Sequence, residues 1–276
     1  MLIFVYGNWR VNRVDNLLLR SRSEREVIEP GGSAIPSFGY RWVELSPDSF
    51  RLVPNASELP SWKIRKFSGY LYLDFYKLNV DRTAIQAFAN THGWLVLVHG
   101  SPDENGGEPF TLWAQQVQEF KSYFDGWRAV QDLSPEQSKR ALLAFMQRVI
   151  PKYPLERRRN TPIEELKKRA QELIIRRVNE YLRASAPDGT ALVRLLITQR
   201  GQTFVPVLIP SNVLGAVWLQ FSQVITGTRI LQHCELCKDL MDITDSAHPG
   251  SKRMHSRCSN RIRKQRYRSK KREENG

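Results

Sequence analysis

Cys234, Cys237, His255 and Cys258 are the side chains in this 276-residue chain whose types and spacing best support chemistry. They read C-x2-C, seventeen intervening residues, then H-x2-C, and they take up all three cysteines of the chain. Two residues between cysteines permit a tight knuckle that turns both sulfurs to one side, where a tetrahedral Zn2+ accepts them at about 2.3 Å. His255 and Cys258, three apart, face the same way on the first turn of a helix. The stretch 238–254 then folds over as the finger of a ribbon or treble-clef unit. It is too short and polar to build a core of its own, so metal binding must supply most of its folding free energy. A redox C-x-x-C is the competing reading, but it belongs at a strand-to-helix junction of an α/β domain and needs no second H-x2-C pair. His233 and His248 also lie nearby and stand as alternative fourth ligands, with the spacing to Cys258 favouring His255.

Positive charge follows directly. Residues 251–276 hold eleven Lys/Arg against two Glu, so they carry +9 of the net +14. A charge excess this concentrated implies a polyanionic partner docking at this end. Read as a helix, Arg257, Arg261, Lys264, Arg268 and Arg272 fall at steps of three or four and form one stripe, while Arg263, Arg266, Lys270 and Lys271 spread charge over the other faces. Charge on nearly all sides suits phosphate contact better than base reading. Asn260 or Arg261 are the candidates for reaching base edges. Tyr267 could instead stack on an unpaired base of RNA, although no RNP-like aromatic motif accompanies it.

These residues resemble a family. Cys234-x-x-Cys237, a polar loop, and Cys258-Ser259-Asn260-Arg261 running into an Arg/Tyr-rich helix are similar to the CGNR zinc fingers. The resemblance covers about forty residues and departs from the pattern twice: Ser259 stands at the signature glycine, and Arg253 stands at an expected cysteine, with His255 replacing it from a shifted position. It implies a bacterial DNA-binding protein, a stress-linked transcription regulator whose larger amino-terminal part is an ABATE-type domain. That domain would sense a small-molecule effector or serve association.

The elements that must position these groups read as α+β. The expectation is an antiparallel sheet plus helices over residues 1–229, and a zinc-ribbon or treble-clef finger ending in a basic helix over 230–272. Strand-like runs occur at 2–6, 40–45, 50–53, 62–67 and 69–78, broken by Pro47, Pro54 and Pro60. Asp81 caps a helix that Gly93 stops. After the glycine-rich loop 101–108, Phe110, Trp113, Val117, Phe120, Phe124, Trp127 and Val130 recur at three- and four-residue steps, which makes one apolar helical stripe destined for the core. Ser134-Pro135-Glu136-Gln137 and Thr161-Pro162-Ile163-Glu164 read as capped helix starts, with Arg157–Asn160 as a linker between them. A hairpin over 192–209 and an apolar helix capped by Ser211 and ended by Gly227 lead into Cys234.

The chain has no phosphate-binding loop, no G-x-G-x-x-G turn, no H-E-x-x-H and no G-x-S-x-G elbow. It is therefore expected not to be an enzyme, a metal-dependent enzyme acting on nucleic acid being the weaker alternative. No window approaches eighteen uninterrupted apolar residues, and the first six lack the charged flank of a signal peptide. A cytoplasmic location with reduced, metal-ready cysteines is the expectation.

Overall fold

The computed structural model describes residues 32–36, 39–55, 62–67, 69–96, 107–131, 134–150, 161–185, 191–200, 203–244 and 254–274. Its architecture is α+β, with seven helices and small antiparallel sheets among the described residues. Strands β1 (Gly32–Pro36) and β4 (Trp62–Lys66) pair with each other, while β2 (Tyr40–Ser46) and β3 (Ser49–Pro54) form a hairpin. β5 (Glu108–Pro109) adds to the far side of β3. The amino-terminal part therefore holds two small sheets where the sequence suggested one.

The run Gly69–Leu78, expected as a strand, is instead the helix α1 (Leu71–Lys77). The reason is the burial pattern: Leu71, Tyr72, Leu73 and Phe75 are buried while Asp74 and Lys77 are exposed, and one strand face could not bury three consecutive residues, whereas a helix that keeps 74 and 77 on its outer side can. No side chain of its own caps α1. The N–H of Tyr72 donates to Oε1 of Gln220 from a buried helix, so tertiary structure supplies the missing partner. α2 (Arg82–His92) follows its expected grammar, with Asp81 accepting from the N–H of Ala84 at 2.8 Å and Gly93 leaving the helix at φ 94°.

The predicted apolar stripe becomes α3 (Phe110–Gln131), the centre of the core. Phe120 is fully buried, with the rings of Phe75, Phe124, Trp218 and Phe221 5.4–5.9 Å away in edge-on and stacked arrangements. α4 (Pro135–Val149) and α5 (Ile163–Arg183) pack beside α3. The proline at the start of α4 behaves as expected, but Ser134 makes no capping bond. α5 starts one residue late, with Pro162 at the cap position and Thr161 buried before it. Part of the basic side of α5 is paired: Lys167 with Glu164, Arg169 with Glu165, and Arg177 with both Glu180 and, on α3, Glu119.

Next come β6 (Val193–Arg200) and β7 (Thr203–Pro210), paired as a hairpin, and then α6 (Val213–Ile225), in which eleven of thirteen residues are buried. The cap of α6 is Asn212, not the expected Ser211: its side chain accepts from the N–H of Gly215 and donates to the C=O of Val96. Glu108 accepts from the N–H groups of Leu95 and Val96, which explains how the segment after α2 stays buried without forming a strand. Residues 2–6, 101–106, 157–160 and 186–189, where the sequence reads a strand, a loop, a linker and, at Ala186-Pro187-Asp188-Gly189, a turn, lie outside the described residues.

Candidate metal centre and basic arm

After Gly227 turns the chain at φ 74°, β8 (Leu231–His233) and β9 (Leu240–Asp242) pair antiparallel, from Leu231 opposite Asp242 to His233 opposite Leu240. The turn between them is the Cys234–Cys237 knuckle. The N–H of Lys238 donates to the C=O of Cys234, and the N–H of Cys234 donates to the C=O of Asp239. Closing so tight a turn puts Lys238 at φ 60°, the left-handed conformation that a side chain resists. α7 (Ser256–Glu274) then begins one residue after His255, whose C=O accepts from the N–H of Ser259. A knuckle hairpin followed by a helix carrying the last ligand is the treble-clef arrangement read from the spacing.

The fold brings the four expected ligands together: one donor atom from each of Cys234, Cys237, His255 and Cys258 lies within 4.8 Å of every other. A tetrahedral ion at zinc–ligand lengths needs about 3.5–3.8 Å between donors, so a small contraction suffices. The Nδ1 of His255 is 3.4 Å from Sγ of Cys237 and its Nε2 is 3.3 Å from the C=O of Leu240. With Nε2–H donating to that carbonyl, the lone pair of Nδ1 is aimed at the sulfurs, which is how metal-bound imidazoles are held by a second partner. Three thiols and an imidazole leave no open coordination position, so the donor set suits a structural ion. His233 is not part of the cluster, since its Nδ1 lies 2.8 Å from the C=O of Lys238, and His248 lies outside the described residues.

The cluster differentiates its sulfurs. Burial works against a charged Cys234, yet the backbone N–H groups of Cys237, His255 and Leu236 and the Cys237 thiol point at its sulfur and bring it down to about 5. Cys258 is pushed up to about 11 by burial and by the neighbouring sulfurs of Cys237 and Cys234. A cation among them removes that conflict by taking every ligand as its deprotonated form.

No family model matches this chain, and no curated protein or solved structure matches it either.

Behind the cluster, α7 is 19 residues long, about 28 Å at the usual helical rise. Cys258 is buried and Ile262 half-buried one turn on; every other described side chain from Ser256 to Ser269 is exposed. Arg257, Asn260, Arg261, Arg263, Lys264, Arg266, Tyr267 and Arg268 are all on this exposed arm, and Lys270, Lys271 and Arg272 continue the helix. Arg257 pairs with Asp239 of the knuckle at 3.1 Å, and Arg263 donates to Oδ1 of Asn260. Tyr267, 69% exposed, offers its ring to solvent. Among the described side chains the helix therefore rests on Cys258 and Ile262 in its first two turns, beside the four side chains that could hold an ion.

Several features were missed in the sequence. The stretch 238–254 is not wholly a polar loop: Met241 and Ile243 form a miniature core with Cys234 and Cys258, and Met254 packs against it. More consequential is Asp242, whose side chain is fully buried. It accepts from Nη1 of Arg229 at 2.8 Å and from the hydroxyl of Tyr72 at 3.1 Å, and its other oxygen accepts from the N–H of Thr244. Arg229 is held in turn by Gln223 and the C=O of Gly69. This network joins the finger hairpin to α1 and α6. The alternation Leu240-Met241-Asp242-Ile243 was the available signal, with an acid at an inward strand position.

Proposed function

We propose that the chain is a zinc-dependent DNA-binding protein, a transcription regulator that contacts nucleic-acid phosphates through α7. The observation that carries this reading is the junction itself: four side chains able to hold one ion sit at the start of a helix on which every described cation is exposed. A helix so dense in like charge gains nothing from packing, so neutralisation by a polyanion is its natural stabiliser. Zn2+ would be held by Cys234, Cys237, His255 and Cys258 and would supply no chemistry beyond fixing the fold of the finger. The resemblance of Cys258-Ser259-Asn260-Arg261 to CGNR fingers supports duplex DNA as the partner. It also supports a sensing or association role for residues 1–229.

The test is binding to duplex DNA as salt is varied. If about six of the basic residues each neutralise a phosphate, the slope of log affinity against log salt should be about −5, a loss of about three decades between 50 and 200 mM. Truncation after Ile262 keeps Cys258, its helical turn and the half-buried anchor, so it should retain the ion and lose most of the affinity. Equal binding by the truncated protein would move the docking surface elsewhere. A second reading, RNA recognition by stacking on Tyr267, is favoured by the exposure of that ring on a cationic helix. Tyr267→Ala should leave duplex binding unchanged under the first reading and weaken binding to looped RNA several-fold under the second.

A further inference from the structure

Among the described residues the hairpin of β6 and β7 pairs with no third strand, and its two edges differ. Its register runs from Val193 opposite Pro210 to Arg200 opposite Thr203. The N–H of Ser211 donates to the C=O of Leu192 at 2.9 Å, which makes 192/211 a hydrogen-bonded pair. Alternation along an antiparallel ladder then makes 194/209, 196/207, 198/205 and 200/203 hydrogen-bonded too, and the pairs between them turn their backbone groups outward. On β7 two of those outward positions are Pro206 and Pro210, which have no N–H to offer. On β6 they are Val193, Leu195, Ile197 and Gln199, each able to donate and accept. The same strand leaves Leu195 58%, Leu196 44% and Ile197 74% exposed, with Leu208 of β7 at 36%. Proteins commonly guard an edge strand with charge, proline or cover, and only β7 carries such a guard at its outward positions.

We propose that the β6 edge pairs antiparallel with the β6 edge of a second copy of this chain, giving a four-stranded sheet in the order β7-β6-β6-β7 and a two-fold dimer. A second copy is the occupant that the geometry defines, because an antiparallel strand pair about a two-fold axis is self-complementary. The prolines of β7 then form both outer edges of the new sheet, so association stops at two. Two strand edges with their exposed leucines and isoleucine bury at most about 1,000 Å², at the lower limit for a specific interface, so the dimer is a weak one. Charge sets a second signature. Each copy carries +14, and salt that screens this repulsion should tighten the dimer, the opposite of its effect on nucleic-acid contact.

The inference depends neither on the metal nor on the nucleic-acid reading and is tested on the full chain, nuclease-treated and metal-replete, by sedimentation velocity from 1 to 300 μM. A monomer–dimer equilibrium that tightens as salt rises from 0.1 to 0.5 M is expected. Ile197→Pro removes only an outward N–H, as Pro206 already does on the opposite strand, and should weaken the dimer at least tenfold with the circular dichroism spectrum unchanged. Ile197→Lys serves the same purpose should the proline disturb the hairpin, by placing charge on the edge. A wild-type chain that stays monomeric throughout, a dimer indifferent to both substitutions, or growth beyond two copies would each overturn the proposal.

Discussion

Cys234 and Cys258 share one cluster but part with their protons at different pH, about 5 against about 11, because backbone N–H groups converge on the first sulfur and only burial and other sulfurs surround the second. In the metal-free finger Cys234 is therefore the more acidic of the two thiols and Cys258 the one that keeps its proton longer. The loaded state requires both deprotonated, so it carries fewer protons than the free state and is favoured as pH rises. Metal affinity should increase by about tenfold per pH unit for each proton displaced across the neutral range, more steeply below about pH 5, where Cys234 also holds its proton. Competition with a chromophoric chelator between pH 4.5 and 8.5 measures this, and a flat profile would contradict it. Cys237→Ser should lower metal content from one ion per chain towards zero. His255→Ala, which keeps three sulfurs, should weaken binding without abolishing it, and His233→Ala should change nothing because that ring faces the C=O of Lys238. At this scale the clustering of the four side chains was legible, since knuckle spacing constrains sulfur geometry directly. The tautomer-fixing carbonyl of Leu240 was not, because backbone groups leave no mark in a sequence.

Among the elements, legibility followed local chemistry. Asp81 and Gly93 bracket α2 as read, because a side-chain cap and a left-handed stop are decided within a few residues. The Ser211 cap failed because neighbouring oxygens near a helix start compete and packing selects among them, as when Asn212 also reaches the C=O of Val96; Ser134 stands at the cap position of α4 without a side-chain bond. α1 was misread because its alternation was incidental to a segment that buries 71–73 and 75 and exposes 74 and 77, and Gln220, 148 residues away, satisfies its first turn. The stripe of α3 was legible as core since period and size agree. Phe120→Ala should cost about 3–5 kcal/mol in denaturant unfolding, given four aromatic neighbours that cannot collapse into the gap. The knuckle offers the converse case. Lys238 at φ 60° opposes the turn that the metal site needs, so Lys238→Gly should stabilise the finger by about 0.5–1 kcal/mol, read as tighter metal retention against a chelator. A looser site would show that its side chain contributes more than its backbone conformation costs.

Across the whole molecule the decisive relation is between the finger and the body that carries it. The chain read from sequence as two parts, 1–229 and 230–272, and the short connection after a buried helix implied a finger held against the main domain, but no residue marked how it is held. Yet Asp242 carries its carboxylate into the body, where Arg229 and Tyr72 receive it, and Leu240 of the finger hairpin belongs to the main core. A carboxylate taken fully out of water is tolerable only with such partners, so the joint is specific in a way an apolar contact is not. Its consequence is directional: α7 begins fourteen residues after Asp242, and an arm anchored by its first two turns points wherever the hairpin points. Removing the acid separates this role from metal binding, because none of the four ligands is touched. Asp242→Ala leaves the cation of Arg229, 15% exposed, and the Tyr72 hydroxyl without their acceptor and should destabilise the protein by about 3–5 kcal/mol in thermal or denaturant unfolding. Metal content should remain at the wild-type level, and amide exchange in residues 231–233 and 240–242 should accelerate relative to α3. Asp242→Asn keeps the shape and one acceptor and should fall between the two. If Asp242→Ala leaves both the melting transition and the exchange pattern as they are in the wild type, the hairpin is held by Leu240 and its apolar neighbours, and the buried ion pair does not set the direction of the arm.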